Sequence, residues 1–260
     1  MNDISILREN GIDVDTGLSL LGDLTMYNDI LKEFLNGYTE RMKRMKQNLL
    51  NQDLVNYAIE VHSLKSDSKY LGFQKLAELS YQQELASKKK DNKTCREHYQ
   101  ELLTEVTRVV EVSKKYLSSS TSASVILTND NIKRINQKIV VADDSEIIRD
   151  FIKEIFEDQF EVLMAKDGKE VINIIATHKE VVALLLDLNM PNIDGFQVLD
   201  YFREKDLFQK VPVSIISGAN DKESIEKAFT YDIVDMINKP FNKENVRHIV
   251  EKMLNISKEM

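Results

Sequence analysis

Cysteine is almost absent. Cys95 is the single one, so no internal disulfide can form and no Cys/His cluster offers a zinc site. No basic-then-apolar leader precedes a small-residue cleavage site, and the expectation is a reducing, cytoplasmic setting. Long apolar runs are missing as well. The longest, Val181 to Leu186, has six residues, against the roughly 20 that a membrane-spanning helix needs, so membrane insertion is not expected. Proline occurs only at Pro191, Pro212 and Pro240. The eight glycines are scattered. Gly17 and Gly22 have P-loop spacing, but Asp23-Leu24 stand where Lys-Ser/Thr is required and no strand precedes them. A nucleotide lid and a dinucleotide loop are excluded in the same way. Excess positive charge is lacking too: a net charge of −8, and no basic recognition helix after residue 258, argue against a nucleic-acid partner.

What is present divides in two. At about 150 residues per domain, 260 residues suggest two domains, and 42% apolar with 30% charged residues suits a folded, soluble chain. Residues 1–117 carry 17 Lys+Arg against 18 Asp+Glu, whereas residues 138–260 carry 16 against 24. Between them, Ser118 to Ser124 is a low-complexity run that cannot bury apolar surface. The sequence therefore predicts a first domain at 1–117, a linker at 118–137 and a second domain at 138–260. Val125-Ile126-Leu127 is a candidate for a short ordered element within the linker.

Residues 1–117 lack proline and show helical periodicity. Ile30, Leu31, Phe34, Leu35, Tyr38, Met42, Met45 and Leu49 recur at steps of three and four, predicting a helix over about 27–50. A second is expected at about 53–71, capped by Asp53 and stopped by Gly72, and a third at about 73–90 with Leu76, Leu79 and Leu85 inward. The fourth runs from Asp91 or Asn92 to about 117, and the segment 3–24 packs across one end. Four such helices fold as an antiparallel bundle. In the second half, Lys138–Ala142, Phe160–Met164, Val182–Asp187, Pro212–Ile216 and Ile233–Ile237 are short β-rich runs. Helical segments at about 145–157, 168–178, 195–204, 221–230 and 243–256 alternate with them. Five βα units predict a doubly wound, flavodoxin-like parallel sheet, with ligands bound at the carboxyl ends of its strands.

At those ends stand Asp143 and Asp144 after the first strand and Asp187 closing the third. Ser217 follows the fourth strand and Lys239 the fifth. Converging carboxylates repel, and Mg²⁺ with its preference for oxygen ligands would neutralise them. Lys239 and the Ser217 hydroxyl complete a site for a phosphoryl group, with Asp187 as the nucleophile. Taken singly, an Asp at a strand end is most often a loop residue or a helix cap; the constellation carries the argument. Together with Met190-Pro191, Asp194-Gly195, Ser217-Gly218-Ala219 and Lys239-Pro240-Phe241, these residues make 138–258 resemble a response-regulator receiver domain. The resemblance implies that Asp187 is the phosphoacceptor, and that Asp143 and Asp144 hold Mg²⁺ with the backbone carbonyl of Asn189. It makes Ser217 the switch hydroxyl and Lys239 the essential lysine. Three residues before the lysine the family has Tyr or Phe, whereas this chain has Met236.

Of the four histidines, His98, His178 and His248 read as surface or satisfied residues. His62 differs. Leu54, Ala58, Val61, Leu64 and Leu71 mark the core side of its helix, and His62 is about 100° round from Val61. Lys65, Ser66 and Lys69 follow at i+3, i+4 and i+7 and share its face. A small Ser66 beside two lysines predicts an approachable imidazole able to carry a phosphoryl group. The bland alternative is a merely solvated lysine face. His-x-Leu-Lys with a glycine ten residues after the His, and Gly11-Ile12-Asp13 earlier, make about 10–117 resemble the histidine phosphotransfer (HPt) domain, a four-helix bundle. That family has Gly where Ser66 stands.

The combination implies a phosphorelay intermediate without an ATP-binding kinase domain of its own. Its partners would be a separate histidine kinase, hybrid or not, and a downstream response regulator or effector. A flexible linker of about 20 residues reaches near 25 Å, enough for the two acceptors to meet. Two other classes compete. A Mg²⁺-dependent phosphatase with an Asp nucleophile needs a second Asp where Asn189 stands. A receiver-only binding module would use the bundle as a docking platform. The chain could also derive from a larger hybrid kinase.

Overall fold

The computed structural model describes residues 2–119, 137–218 and 222–259. The chain forms two compact units, divided between residues 128 and 129. Val125-Ile126-Leu127, Ala219 and nearly all of the expected linker lie outside the described residues.

The first unit contains α1 (Ser5–Glu9), α2 (Val14–Leu21), α3 (Leu24–Leu50), α4 (Leu54–Tyr70), α5 (Gln74–Lys88) and α6 (Asn92–Ser118). The last four make the bundle: each packs on the next, and α3 closes the ring against α6. Aspartates start three of these helices, Asp53 and Asp91 where the sequence placed them and Asp23 one turn earlier than the expected start near residue 27. Asp23, Asp53 and Asp91 each accept a backbone N–H from the first turn of α3, α4 and α6. Gly72 ends α4 at φ +72°. There the Phe73 N–H donates to Ser68 and the Gly72 N–H to Lys69, which satisfies two terminal carbonyls.

Gly72 also receives the N-terminal segment. The Asp13 N–H donates to its carbonyl at 2.9 Å. A Cβ on Gly72 would stand 2.0 Å from the Asp13 carbonyl oxygen. Gly72→Ala is therefore expected to destabilise the bundle by about 2–4 kcal/mol, from a positive φ and a backbone clash together. Urea unfolding measures it, and a loss below about 1 kcal/mol would show that the contact is yielding.

The core departs from the leucine pattern. Leu54, Ala58, Leu79 and Leu85 are only half-buried, while Tyr27, Tyr57, Tyr70 and Tyr116 are buried. The inward face of α5 is small and polar, with Ser80, Gln83, Glu84 and Ser87 beside Leu76 and Ala77. Buried phenols need partners. Tyr27 donates to the Leu71 carbonyl at 3.0 Å, Tyr57 to Gln83 Oε1 at 2.9 Å and Tyr116 to Asn28 Oδ1 at 2.7 Å.

Burial raises the Tyr27 and Tyr57 hydroxyls well above their usual 10.0. A raised folded-state value gives stability that is complete below about pH 10 and lost above it. Bundle stability is expected to fall by about 1.4 kcal/mol per pH unit for each phenol, and Tyr57→Phe to lose less of it. Equal alkaline slopes for the two proteins in urea unfolding would refute this cause.

The second unit alternates β1 (Lys138–Ala142), α7 (Glu146–Phe156), β2 (Glu161–Ala165), α8 (Gly168–Thr177) and β3 (Val181–Asp187). It continues with α9 (Gly195–Glu204), β4 (Val213–Gly218), α10 (Lys222–Ala228), β5 (Asp235–Lys239) and α11 (Lys243–Glu259). The strands form one parallel sheet in the order β2-β1-β3-β4-β5. Helices α7 and α11 pack together on the sheet, and α8 packs with α9. The strands β1, β3 and β4 are buried nearly throughout, as the unbroken Val, Ile and Leu runs require. Several strand boundaries shift by one or two residues, and two of these shifts bear on the site: Ser217 lies within β4 and Lys239 ends β5, where the sequence placed both after their strands. The strand hydrogen bonds continue past the last apolar residue, with Ser217 opposite Asn238 and Gly218 opposite Lys239.

Candidate functional site

Adjacency of β1 and β3 decides the acidic site. Ala142 is level with Leu186, so the residues that follow, Asp143 and Asp187, emerge side by side at the carboxyl edge. Carboxylate oxygens of Asp143, Asp144 and Asp187 all lie within 4.8 Å of one another. Asp143 is fixed by the Ser145 N–H at 3.0 Å, and Ser145 in turn caps α7. Lys239 arrives from β5. Its Nζ stands 2.7 Å from Asp143 Oδ2 and 3.0 Å from Asp187 Oδ2. Asp143, Asp187 and Ser217 are completely buried and Lys239 nearly so. After Asp187 the loop carrying Asn189 and Met190-Pro191 returns tightly. The Gly195 N–H donates to the Leu188 carbonyl at 3.1 Å, and a Cβ on Gly195 would lie 2.4 Å from the Asp187 carbonyl oxygen. Asn189 is half-buried in that loop.

Charge in this cluster is unbalanced. Burial pushes the Asp143 carboxyl well above the usual carboxylate range; the Asp187 charge adds to this and Lys239 offsets part of it. Burial would neutralise the Lys239 ammonium, but Asp143, Asp187 and Asp144 overcome that and hold it protonated far into alkali. Asp187 Oδ1 and the Ser217 hydroxyl are buried and have no hydrogen-bond partner among the described residues. Hard oxygen donors in excess of positive charge fit a hard dication such as Mg²⁺, and the two open polar atoms fit an incoming oxyanion. Met236 lies half-buried on β5 and packs against the core beneath the sheet.

The histidine site differs from its expectation. His62 is 5% exposed and Ser66 4%, so the imidazole is not approachable in this conformation. The cause is a residue that the sequence reading missed. Glu84 of α5 accepts from His62 Nδ1 at 2.8 Å and pairs through its other oxygen with Lys65. Both side chains are thereby drawn down between α4 and α5. No local signal marks Glu84, which lies 22 residues from His62 on another helix. Burial works against its charge, yet the His62 hydrogen bond and the charges of His62 and Lys65 outweigh it, and Glu84 is ionised at any ordinary pH. With Nδ1–H directed at a carboxylate, Nε2 is the ring atom that carries the lone pair whenever the imidazole is neutral. That atom is buried without a partner among the described residues. Lys69 is partly buried beside Lys65; burial first, then Lys65, lowers its ammonium.

A parallel sheet with three carboxylates and a buried lysine at its carboxyl edge, preceded by a helical bundle with one carboxylate-bound histidine, defines a class of phosphoryl-acceptor proteins. The family comparisons agree. The family model of the response regulator receiver domain matches residues 139–251, and that of the Hpt domain matches residues 29–112. The chain is an Hpt domain fused to a receiver domain, the architecture of two-component phosphorelay proteins. It is similar to the glycerol metabolism activator of Pseudomonas putida, 31% identical over 45% of this chain and 54% of the other. It also resembles response regulator RR06 of Streptococcus pneumoniae, 35% identical over 40% and 46%. Sporulation initiation phosphotransferase F of Bacillus subtilis is 26% identical, over 46% of this chain and 95% of its own length. The chain thus spans about half the length of the first two relatives. No helix among the described residues is long and apolar enough to cross a membrane.

Proposed function

We propose that this protein is a phosphorelay intermediate that carries a phosphoryl group on Asp187 and on His62, between a separate histidine kinase and a downstream regulator. The carrying observation is Asp187 itself: Oδ2 is held by Lys239, while Oδ1 is buried and open. In the forward step Oδ1 attacks phosphorus of a phosphoimidazole. The O–P bond forms as the N–P bond breaks, and the leaving nitrogen recovers its lone pair. Lys239 and Ser217 bind phosphoryl oxygens as charge develops on them. Mg²⁺, held by Asp143, Asp144, Asp187 and the Asn189 carbonyl, supplies the remaining neutralisation when bound. No ATP chemistry of its own is needed, and the setting is cytoplasmic.

Acceptance at His62 requires Nε2 to be uncovered as the donor docks. The burial of His62 favours a second reading, in which phosphorylated Asp187 alone gates a partner interface and the bundle is a platform. Incubation with a phosphorylated hybrid kinase separates the two. The relay predicts acid-labile label on His62, base-labile label on Asp187, and loss of onward transfer in His62→Gln. Onward transfer undiminished in His62→Gln refutes the relay and selects the gated module.

A further inference from the structure

Lys88 belongs to none of the motifs above. It ends α5, half-exposed, and its Nζ stands 2.8 Å from Glu84 Oε1. That same oxygen accepts from His62 Nδ1 at 2.8 Å. Lys65 pairs with Oε2. One buried carboxylate therefore serves two ammonium groups and an imidazole.

The chemistry of acceptance makes this sharing matter. The Nε2 lone pair must attack phosphorus of an acyl phosphate. The N–P bond then forms, the O–P bond breaks, and the electron pair leaves on the donor carboxylate. A doubly protonated imidazolium has no lone pair to give. Glu84 alone would favour that imidazolium, as carboxylates do beside histidines. Two lysines make the cluster positive while the ring is neutral, so a third positive charge is disfavoured. Lys88 also competes for Oε1 directly.

Other charged groups around α4 do not replace it. Lys69 and Lys65 are on α4 itself; Lys65 Nζ stands 3.4 Å from His62 Nδ1 and 5.7 Å over the Tyr81 ring of α5, so it holds its place beside the ring whether or not Lys88 is present. From α3, Arg41 pairs with Asp67 and Arg44 with Glu60. At α2, Asp13 caps the helix and Asp15 pairs with Arg8.

We propose that Lys88 is a positioning residue for phosphoryl acceptance: by holding Glu84 Oε1 it keeps His62 Nε2 free of a proton at neutral pH. The proposal rests on His62 being an acceptor, and its test separates the two. The acceptor is the full chain carrying Asp187→Asn, with or without Lys88→Gln or Lys88→Arg. The donor is the full chain carrying His62→Gln, charged on Asp187 with labelled acetyl phosphate.

In Lys88→Gln the pH of half-maximal label transfer is expected to move up by roughly half a unit. That is an approximately threefold loss on the acid side, vanishing in mild alkali; the size allows for solvent screening of a half-exposed lysine. Lys88→Arg restores the profile. A rate lowered equally at every pH would mark a merely structural role and overturn the inference. The ¹⁵N shifts of the His62 ring, followed against pH, need no transfer at all. Their midpoint rises in Lys88→Gln if the inference is right, and an unmoved midpoint overturns it. Absence of label on His62 in every acceptor, with that midpoint raised, rejects the acceptor reading while upholding the action of Lys88 on the ring.

Discussion

Asp187→Asn is expected to abolish phosphoryl acceptance by the receiver while making the fold more stable. The two effects have one origin. The asparagine amide cannot form the acyl phosphate, so acceptance should fall by more than about a thousandfold. The same change removes one of three carboxylates gathered within 4.8 Å, two of them completely buried. Lys239 keeps Asp143 at 2.7 Å and is not orphaned. Relief of like-charge repulsion is expected to raise stability by about 1–2 kcal/mol in metal-free buffer. Labelling with acetyl phosphate reads the first effect, and urea unfolding with a chelator reads the second. A variant less stable than the parent would mean that the Lys239–Asp187 pair outweighs the repulsion.

Lys239→Met should act in the opposite direction on stability. It leaves the methylene volume but deletes the ammonium that bridges Asp143 and Asp187. Uncompensated buried carboxylates cost several kcal/mol, so a loss of about 3–5 kcal/mol is expected without metal. Mg²⁺ should recover part of it by mass action, because the dication supplies the missing charge. Acceptance should fall about a hundredfold or more even in saturating Mg²⁺, since one stabilising contact to the transferring group is gone. Unfolding at several Mg²⁺ concentrations checks the first claim. A stability unchanged by the substitution would show that Lys239 is not what neutralises the pair.

The two halves were legible to different depths. In the receiver, the site residues lie at or just after the carboxyl ends of the strands, so runs such as Val181–Asp187 locate them directly. Strand order then follows from crossover rules, and Asp143, Asp187, Ser217 and Lys239 come to the sheet edge that this order implies. The ends of β4 and β5 slipped, because Ser217 and Lys239 are polar residues that still extend the ladder.

In the bundle, helix spans were readable because aspartate caps and Gly72 punctuate them. The inward faces were less so. Tyr57 and Gln83 are core partners through a hydrogen bond at 2.9 Å, a pairing that apolar periodicity does not register. The state of His62 was not readable at all: its neighbours at i+3 and i+4 are visible in sequence, whereas Glu84 reaches it from another helix and is itself held there by Lys88.

The sequence by itself determined the two architectures, the candidate acceptor residues and the chemical types around them, because local periodicity, caps and strand-end positions are properties of short stretches. Tertiary structure alone decided that the imidazole is withdrawn against a carboxylate shared by two lysines, and that one ammonium bridges the two buried acids of the three. Such contacts join residues far apart in the chain. Their energies depend on distance and burial, which packing sets.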